Sequence, residues 1–197
     1  MSPFFMRRGA QATWGAGKSI FPVRLQRRKM KFYNIKDDYI RFLRGYDPKV
    51  AENKHESRPY IGVVFQIGTV SYYTPFTSPK PKHKRMKNGK DFRKINQGKY
   101  GAINFNNMIP VPSSELLLKD INNEPDQQYK RLLQNQYKAI KADWNAIQKT
   151  AENLRNLVLT PDENLGNYDK QVKARCCNLA LLESVYVNYG KKSSAQN

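Results

Sequence analysis

The clearest pattern in the chain is a pair of apolar runs separated by two turn residues. Residues 60–67 read YIGVVFQI and residues 70–76 read VSYYTPF, with Gly68 and Thr69 between them. Both runs are rich in β-branched and aromatic side chains, which are enriched in strands. Two such runs joined by a short turn that contains glycine predict a β-hairpin.

Shorter strand and helix patterns flank this hairpin. Apolar side chains recur at helical spacing between Asp37 and Gly45, which predicts a helix with Asp37 or Asp38 as its cap. The other elements expected in this half are strands at 31–35 and 101–109, a short apolar element at 116–118, and loops at 47–58 and 80–99.

The second half of the chain has the spacing of helices. Apolar residues three and four positions apart predict one long helix from near Asn123 to Val158, ended by Pro161. A polar linker is expected at 162–171, and a last helix at 179–189. Strands followed by helices favour an α+β fold with an antiparallel sheet.

Charge is the unusual feature of the composition. The chain has 35 Lys and Arg against 16 Asp and Glu, a formal net charge of +19. Such an excess favours a polyanionic partner, with nucleic acid ahead of an anionic membrane. No segment approaches the about 20 apolar residues of a membrane-spanning helix. We therefore expect a nucleic-acid-binding protein that has no membrane partner.

The first 29 residues differ from the rest of the chain. They contain seven basic residues and no acid, and without them the net charge is still +12. We interpret 1–29 as a basic leader that is disordered or derived from an upstream extension or a vector, with Met30 as the natural start. A transit-like peptide and an RNA-binding arm are the alternatives. A single domain is expected at 30–190, followed by a disordered tail at 191–197.

Residues suited to metals and cofactors are scarce. The chain has two histidines, His55 and His83, and two cysteines, which are adjacent. Adjacent cysteines rarely form a disulfide, so Cys176 and Cys177 indicate reduced thiols in a cytoplasmic protein. There is no Cys-x-x-Cys and no acidic cluster of the kind that holds two Mg²⁺ ions. We expect neither a metal nor a cofactor. Cleavage of a phosphodiester without metal favours RNA, whose 2′-hydroxyl can act as the nucleophile.

Hydroxyl and ammonium groups follow the hairpin directly, in the sequence Thr77-Ser78-Pro79-Lys80. Lys80 can stabilise a charged phosphorane, and the two hydroxyls can bind its oxygens or orient the attacking 2′-hydroxyl. Pro79 restricts Ser78 to extended conformations. The alternative interpretation is an ordinary turn, in which Ser, Thr and Pro are common.

Two residues before the hairpin complete the candidate catalytic set. Arg58 directly precedes the first strand, and we expect it to help Lys80 stabilise the phosphorane. His55 is the candidate general acid or base, because histidine changes charge near neutral pH. A solvated histidine in a polar loop is the alternative.

A basic run continues from Lys80. Residues 80–99 hold nine Lys and Arg and one acid, Asp91, and we assign His83 to the same surface. This density of charge near aromatic residues favours RNA, with a solvated loop as the alternative. The predicted RNA-binding residues are Lys54, Lys82, Lys84, Arg85, Lys87, Lys90, Arg93 and Lys94.

Eight short motifs along the chain resemble, in the same order, those of one protein family. They are Met30–Tyr33, Asp38–Ile40, Tyr60–Val64, Thr77–Lys80, Met108–Pro110, Tyr129–Arg131, Leu154–Val158, and Cys177-Asn178 together with Leu181–Glu183. The family is that of the ToxN/AbiQ endoribonuclease toxins, which belong to type III toxin–antitoxin and phage-abortive systems. The resemblance covers residues 30–190.

The resemblance implies a compact domain with a highly twisted antiparallel sheet, similar to the MazF/Kid toxins and packed with helices. It implies metal-independent cleavage of cellular or phage RNA that leaves a 2′,3′-cyclic phosphate and a 5′-hydroxyl. It also implies an antitoxin RNA pseudoknot, processed from tandem repeats and bound in a closed protein–RNA hetero-oligomer. The family's catalytic Thr, Ser and Lys correspond to Thr77, Ser78 and Lys80, and a basic residue corresponds to Arg58.

One departure from the family pattern concerns the general acid or base. Characterised members have a tyrosine in the loop before the basic residue, whereas residues 51–58 contain none. His55 takes that role in our interpretation. The function predicted from the sequence is therefore an endoribonuclease toxin; the alternative is a non-catalytic RNA-binding protein of ribosomal or regulatory type.

Overall fold

The predicted hairpin forms the centre of the fold. A computed structural model describes residues 30–53, 55–67 and 69–189. Strands β2 (Tyr60–Ile67) and β3 (Val70–Thr77) pair antiparallel, with Tyr60 opposite Pro75 and Ile67 opposite Val70. The register shifts between Ile61 and Phe65, where a bulge interrupts the ladder. Bulges increase local twist and bend the strand that contains them.

Five shorter strands extend this hairpin into a seven-stranded sheet. They are β1 (Phe32–Ile35), β4 (Phe92–Lys94), β5 (Ala102–Asn104), β6 (Ile109–Pro110) and β7 (Leu116–Leu118). The order is β4-β5-β3-β2-β1-β7, and β6 pairs with β3 outside this path. All pairs are antiparallel, so the predicted α+β class with an antiparallel sheet is confirmed.

Six helices accompany the sheet in the described residues. They are α1 (Asp37–Tyr46), α2 (Pro81–Arg85), α3 (Gln127–Ala142), α4 (Trp144–Leu159), α5 (Asn167–Arg175) and α6 (Leu179–Tyr186). Helix α4 lies against β2, and α6 contacts β6, α1 and α4. One apolar core joins the sheet and helices, and its largest fully buried side chains include Tyr39, Tyr60, Tyr72 and Phe32. No helix among the described residues is both long and apolar enough to cross a membrane.

The helix boundaries differ from the prediction at two places. Helix α1 begins after Lys36, and neither Asp37 nor Asp38 caps it because both lie in its first turn. The predicted long helix is divided at Asp143, whose backbone leaves helical geometry (φ −102°, ψ 14°). The Asp143 carboxylate binds the guanidinium of Arg93 on β4, with one N–O distance of 2.7 Å. A tertiary ion pair thus accompanies a break that the apolar period does not reveal.

Three segments read as loop or strand have more structure than expected. The basic run 80–99 contains α2, β4 and a 3₁₀ turn at Asn96–Gly98, so it is not a loop. The predicted strand 101–109 is two short strands separated by a 3₁₀ turn at Phe105–Asn107. The predicted linker 162–171 contains a 3₁₀ turn at Asp162–Asn164 and the start of α5. Secondary-structure propensity is weak over such short elements, and tertiary pairing decides their conformation.

The basic leader 1–29, Lys54 and the tail 191–197 lie outside the described residues.

Candidate functional site

The Thr77–Lys80 segment lies where β3 leaves the sheet. Thr77 is the last strand residue and pairs with Ala102 of β5, while Ser78, Pro79 and Lys80 are exposed. The Thr77 hydroxyl donates a hydrogen bond to the Ser78 carbonyl at 2.8 Å. Lys80 is the N-cap residue of α2, and proline follows it at the first helical position, where proline is favoured. The segment is an irregular connection between β3 and α2 that ends in extended geometry at Lys80, and it lies at one end of the sheet.

A buried glutamine forms hydrogen bonds with the backbone at the start of this segment. Gln136 of α3 is 1% exposed, and its Nε2 donates to the Thr77 carbonyl at 3.3 Å and the Tyr100 carbonyl at 2.7 Å. This residue is not among those predicted from the sequence. Its signal is a polar side chain on the apolar face of α3, between the buried Leu133 and Ile140. A buried polar group in such a position requires partners, and here they are the carbonyls that flank the site.

Gly101 allows β3 and β5 to approach each other closely beside the same segment. Its φ of +99° lies in a region that other residues rarely adopt, and a Cβ at this position would lie 1.8 Å from the Thr77 carbonyl oxygen. The close approach therefore requires glycine, and it fixes where β3 ends.

The assignment of His83 to the exposed basic surface is wrong, because its side chain is buried in α2 and only 2% of the residue is exposed. Its Nδ1 accepts a hydrogen bond from the Lys80 backbone N–H at 3.2 Å. Burial lowers the pKa of His83 below its ordinary value, and the Lys80 and Lys82 ammonium groups lower it further. The sequence places His83 in a run of cations, whereas the short helix turns the imidazole inward.

A cationic groove of about 470 Å³ opens beside Thr77 and Lys80. Its lining also includes Tyr168 and Arg175 of α5, which sequence analysis missed because they follow the motif by about 90 residues. Arg175 makes a two-pronged ion pair with the buried Asp91, at 2.5 and 3.0 Å. This pairing raises the pKa of Arg175 and keeps it charged. The one acid of the basic run is therefore neutralised inside the groove wall.

Arg58 lies at the end of the hairpin from which the motif leaves. The Phe76 N–H donates to the Pro59 carbonyl at 3.2 Å, so the β2–β3 pairing extends to the residue after Arg58. The Arg58 Nε donates to the Glu52 carbonyl at 2.6 Å, so the guanidinium is oriented by its own loop.

His55 lies in an exposed turn at residues 55–57. Both His55 and Glu56 have positive φ, 54° and 56°, which is uncommon for residues other than glycine. Glu56 fastens the turn to the start of α1, because its backbone N–H donates to the Asp37 carboxylate at 3.1 Å. In the described part of the chain, the His55 side chain forms no hydrogen bond or ion pair, so neither kind of interaction joins it to the motif.

The predicted RNA-binding residues divide into two groups. Lys82, Lys84, Arg85 and Lys87 are exposed on or just after α2, with Lys82 and Lys87 in the groove wall. The others lie away from the groove or form ion pairs. Arg93 forms an ion pair with Asp143, and Lys90 forms one with Asp169 at 2.5 Å. Lys94 is half-buried and borders a different cavity, at the end of α3.

The remaining candidate chemistry is buried or dispersed. Cys176 and Cys177 are unpaired and buried, and burial raises the pKa of both thiols to about 12, so they stay protonated. Across the described ranges, no group of three or more His, Cys, Asp and Glu residues is placed to hold a metal ion.

The family model described as toxin ToxN of the type III toxin–antitoxin system matches residues 31–187, which contain every element of the described fold. The chain belongs to the ToxN toxin family. The match includes the Thr77–Lys80 segment and the groove beside it. The family resemblance inferred from the short motifs is therefore confirmed over most of the chain.

ToxN and AbiQ relatives align over nearly their full length. The chain is 33% identical to an endoribonuclease ToxN of Pectobacterium atrosepticum over 175 residues, which are 83% of this chain and 96% of the relative. It is 29% identical to the endoribonuclease AbiQ of Lactococcus lactis subsp. lactis, over 90% of this chain and 99% of the relative.

Solved structures of the family share the fold. One, from a study of selective type III toxin inhibition by a non-coding RNA pseudoknot, has a TM-score of 0.73 at 31% identity and covers 82% of this chain and 98% of its own. The structure of AbiQ, an anti-phage endoribonuclease of the type III toxin–antitoxin system, has a TM-score of 0.70 at 26% identity, over 83% and 99%.

Proposed function

We propose that this protein is a sequence-selective endoribonuclease toxin whose catalytic segment is Thr77–Lys80. The observation that carries the proposal is a cationic groove lined by Thr77 and Lys80, with the exposed Ser78 between them in the chain, in a member of the ToxN family. Cations bind the phosphates of an RNA strand, and hydroxyl groups bind the oxygens of the phosphate that reacts.

The reaction that suits these groups is attack by the RNA's own 2′-hydroxyl. The 2′-oxygen forms a bond to phosphorus as its proton leaves to a base, the bond from phosphorus to the 5′-oxygen breaks, and a proton is delivered to that oxygen. The products are a 2′,3′-cyclic phosphate and a 5′-hydroxyl. Lys80 and Arg58 stabilise the negative charge of the phosphorane, and the Thr77 and Ser78 hydroxyls bind its oxygens or orient the attacking group.

His55 is the proposed general acid or base. Its exposed turn is strained at two consecutive residues, and such strain is found disproportionately at functional sites. The turn precedes Arg58 by three residues and lies at the same end of the sheet as the catalytic segment. RNA bound between this turn and the groove can bring the 2′-hydroxyl within reach of the imidazole.

The partners follow from the chemistry and the family. An antitoxin RNA pseudoknot that occupies the same groove inhibits the toxin, since a folded RNA presents the phosphates that the groove attracts. We propose that the antitoxin is processed from tandem repeats and closes into a protein–RNA hetero-oligomer, and that the protein acts in the cytoplasm on cellular or phage RNA. We also propose that the bulged hairpin gives the sheet a twist similar to that of the MazF/Kid toxins.

The decisive experiment compares Ser78→Ala with a control serine variant. Wild-type protein, Ser78→Ala and Ser184→Ala, which changes an exposed serine of α6, are incubated with total bacterial RNA in buffer containing a chelator, and new ends are mapped. We expect Ser78→Ala to lose at least about 100-fold in rate, while Ser184→Ala and wild type leave 5′-hydroxyl ends.

Three results would contradict the proposal. Cleavage by Ser78→Ala at the wild-type rate would show that the site is elsewhere. A requirement for added Mg²⁺ would exclude the metal-independent mechanism. RNA that is bound by wild type but never cut would favour the non-catalytic RNA-binding alternative. Sequencing the RNA that co-purifies with the wild-type protein tests the antitoxin directly, because its ends report the processing site.

A further inference from the structure

We propose that His83 is a positioning residue for RNA cleavage: its neutral imidazole fixes the Lys80 backbone and so the position of the catalytic ammonium group. This inference rests on the proposed function of Thr77–Lys80. His83 belongs to the α2 turn that follows the motif, and it is the titratable group bound directly to the motif's backbone.

Two reciprocal hydrogen bonds join His83 to Lys80. The His83 backbone N–H donates to the Lys80 carbonyl at 2.9 Å, and the Lys80 N–H donates to His83 Nδ1 at 3.2 Å. This is the arrangement of a capping box, in which the third helical residue returns its side chain to the N-cap backbone. Helix α2 has only five residues, so its own ladder contributes little to holding Lys80.

The surroundings of His83 restrict its movement. The imidazole lies beside the Phe92 ring of β4, with 6.0 Å between ring centroids. The backbone of Gly98 approaches so closely that a Cβ there would lie 2.8 Å from the His83 carbonyl carbon and oxygen. The imidazole thus packs against one ring and the His83 backbone against Gly98, so we expect loss of the Lys80 bond to move Lys80 rather than His83.

Protonation of the imidazole would break the bond to Lys80. Nδ1 accepts a hydrogen bond only while it has no proton, and a proton there would face the Lys80 N–H instead. Among the charged groups near His83, the Lys80 and Lys82 ammonium groups oppose its protonation. The other charged or titratable groups nearby are Lys84 and Arg85 on its own segment, Lys87 after it, Lys99 beyond Gly98, and Asp91, Arg175 and Tyr168 in the groove wall.

This arrangement predicts the sign of the pH effect. The pKa of His83 lies below its ordinary value of 6.5, so the imidazole is neutral at physiological pH and the bond is intact. The bond is lost as the pH falls through the lowered pKa. Cleavage should decline over the same interval, because Lys80 then leaves its position beside the reacting phosphate.

The test uses two variants of similar size that differ in one acceptor. His83→Asn places an amide oxygen near the position of Nδ1, whereas His83→Leu has no acceptor. Both are assayed on an RNA oligonucleotide that contains a cleavage site mapped with the wild-type protein, from pH 5 to 8. We expect His83→Leu to lose about 10- to 100-fold in kcat with KM changed less than about threefold, since misplacement by 1 Å can cost about 100-fold.

His83→Asn should recover at least about tenfold of that loss. Its activity should also fall less steeply with decreasing pH than that of wild type, since only the contribution of His83 to the acidic decline is removed. Equal activities of His83→Asn and His83→Leu would overturn the proposal, and would mean that His83 acts by packing or by transferring a proton. An acidic decline as steep in His83→Asn as in wild type would also overturn it.

A measurement without RNA separates this inference from the proposed function. The ¹⁵N shift of the His83 Nδ1 reports whether it is an unprotonated acceptor, and a His55→Ala variant assigns the signals of the two histidines. We expect an unprotonated Nδ1 at pH 7, and protection of the Lys80 amide from exchange that disappears with protonation. A protonated Nδ1 at pH 7 would contradict the hydrogen bond from Lys80 to His83 even if Ser78→Ala abolishes cleavage. If cleavage does not depend on Ser78, the proposed function fails, but the hydrogen bond between Lys80 and His83 can still be measured.

Discussion

Replacement of Gly101 by alanine should displace the backbone of the candidate site. The substitution changes no group that is proposed to touch RNA. Gly101 precedes β5, and its backbone lies against the Thr77 carbonyl, which is the last of β3. The new Cβ would be 1.8 Å from that carbonyl oxygen, and real Cβ contacts essentially never fall below 3.0 Å. The two strands must therefore separate by more than 1 Å at the point where Ser78 begins.

The substitution should lower both the stability of the fold and the rate of cleavage. The φ of +99° at Gly101 is strained for alanine, which costs about 1–3 kcal/mol. Separation of the strands weakens the Gln136 bond to the Thr77 carbonyl and deprives the buried Gln136 amide of one partner, which costs about 1–3 kcal/mol more. A shift of about 1 Å at the catalytic segment predicts a loss of about 100-fold in kcat.

Thermal unfolding and single-site cleavage kinetics measure these two effects separately. Gly45→Ala is the matched control, because Gly45 is an exposed residue of α1 whose added Cβ would contact nothing within 4 Å. Alanine should stabilise that helix by up to about 1 kcal/mol and leave cleavage unchanged. If Gly101→Ala retained both the wild-type melting temperature and kcat, the close approach of Gly101 to Thr77 would not position the site.

Two further predictions concern the support and the surface of the site. Gln136→Leu removes the side-chain donor to the Thr77 and Tyr100 carbonyls, so it should cost about 2–4 kcal/mol in unfolding free energy. It should also lower kcat more than Ile140→Val does, and equal kcat values would show that Gln136 is only structural. Removal of the cations Lys82, Lys84 and Arg85 should weaken RNA binding and reduce the slope of log affinity against log salt by up to about 2. The matched control removes three exposed lysines of α3 and α4: Lys138, Lys141 and Lys149. A slope that changes equally in the control would place the RNA elsewhere.

The apolar pattern determined the elements that are long or strongly periodic. The β2–β3 hairpin follows from two runs of strand-forming residues around a glycine turn, and α6 follows from its apolar spacing. The order of these elements was enough to predict an α+β fold with an antiparallel sheet. Short elements were not predictable, because β4 and α2 have too few residues for a period and depend on their partners.

The candidate catalytic residues were also readable from the sequence, since Thr77, Ser78 and Lys80 are neighbours in the chain. Arg58 could be placed by the same reasoning, because a hairpin brings the residue before its first strand to the end of its second. The charge of +19 indicated what kind of molecule such a site binds.

Only the tertiary structure decided what holds the site in position. Gln136, Gly101 and Arg175 come from distant parts of the chain, and their relation to Thr77 depends on three-dimensional contacts that no local pattern encodes. His83 shows the same limit within six residues of the motif. Its neighbours are cations that favour solvent, yet a single turn of helix directs the imidazole inward to the backbone of Lys80. Sequence patterns report the average preference of a segment, whereas the burial of one side chain depends on which face the fold covers.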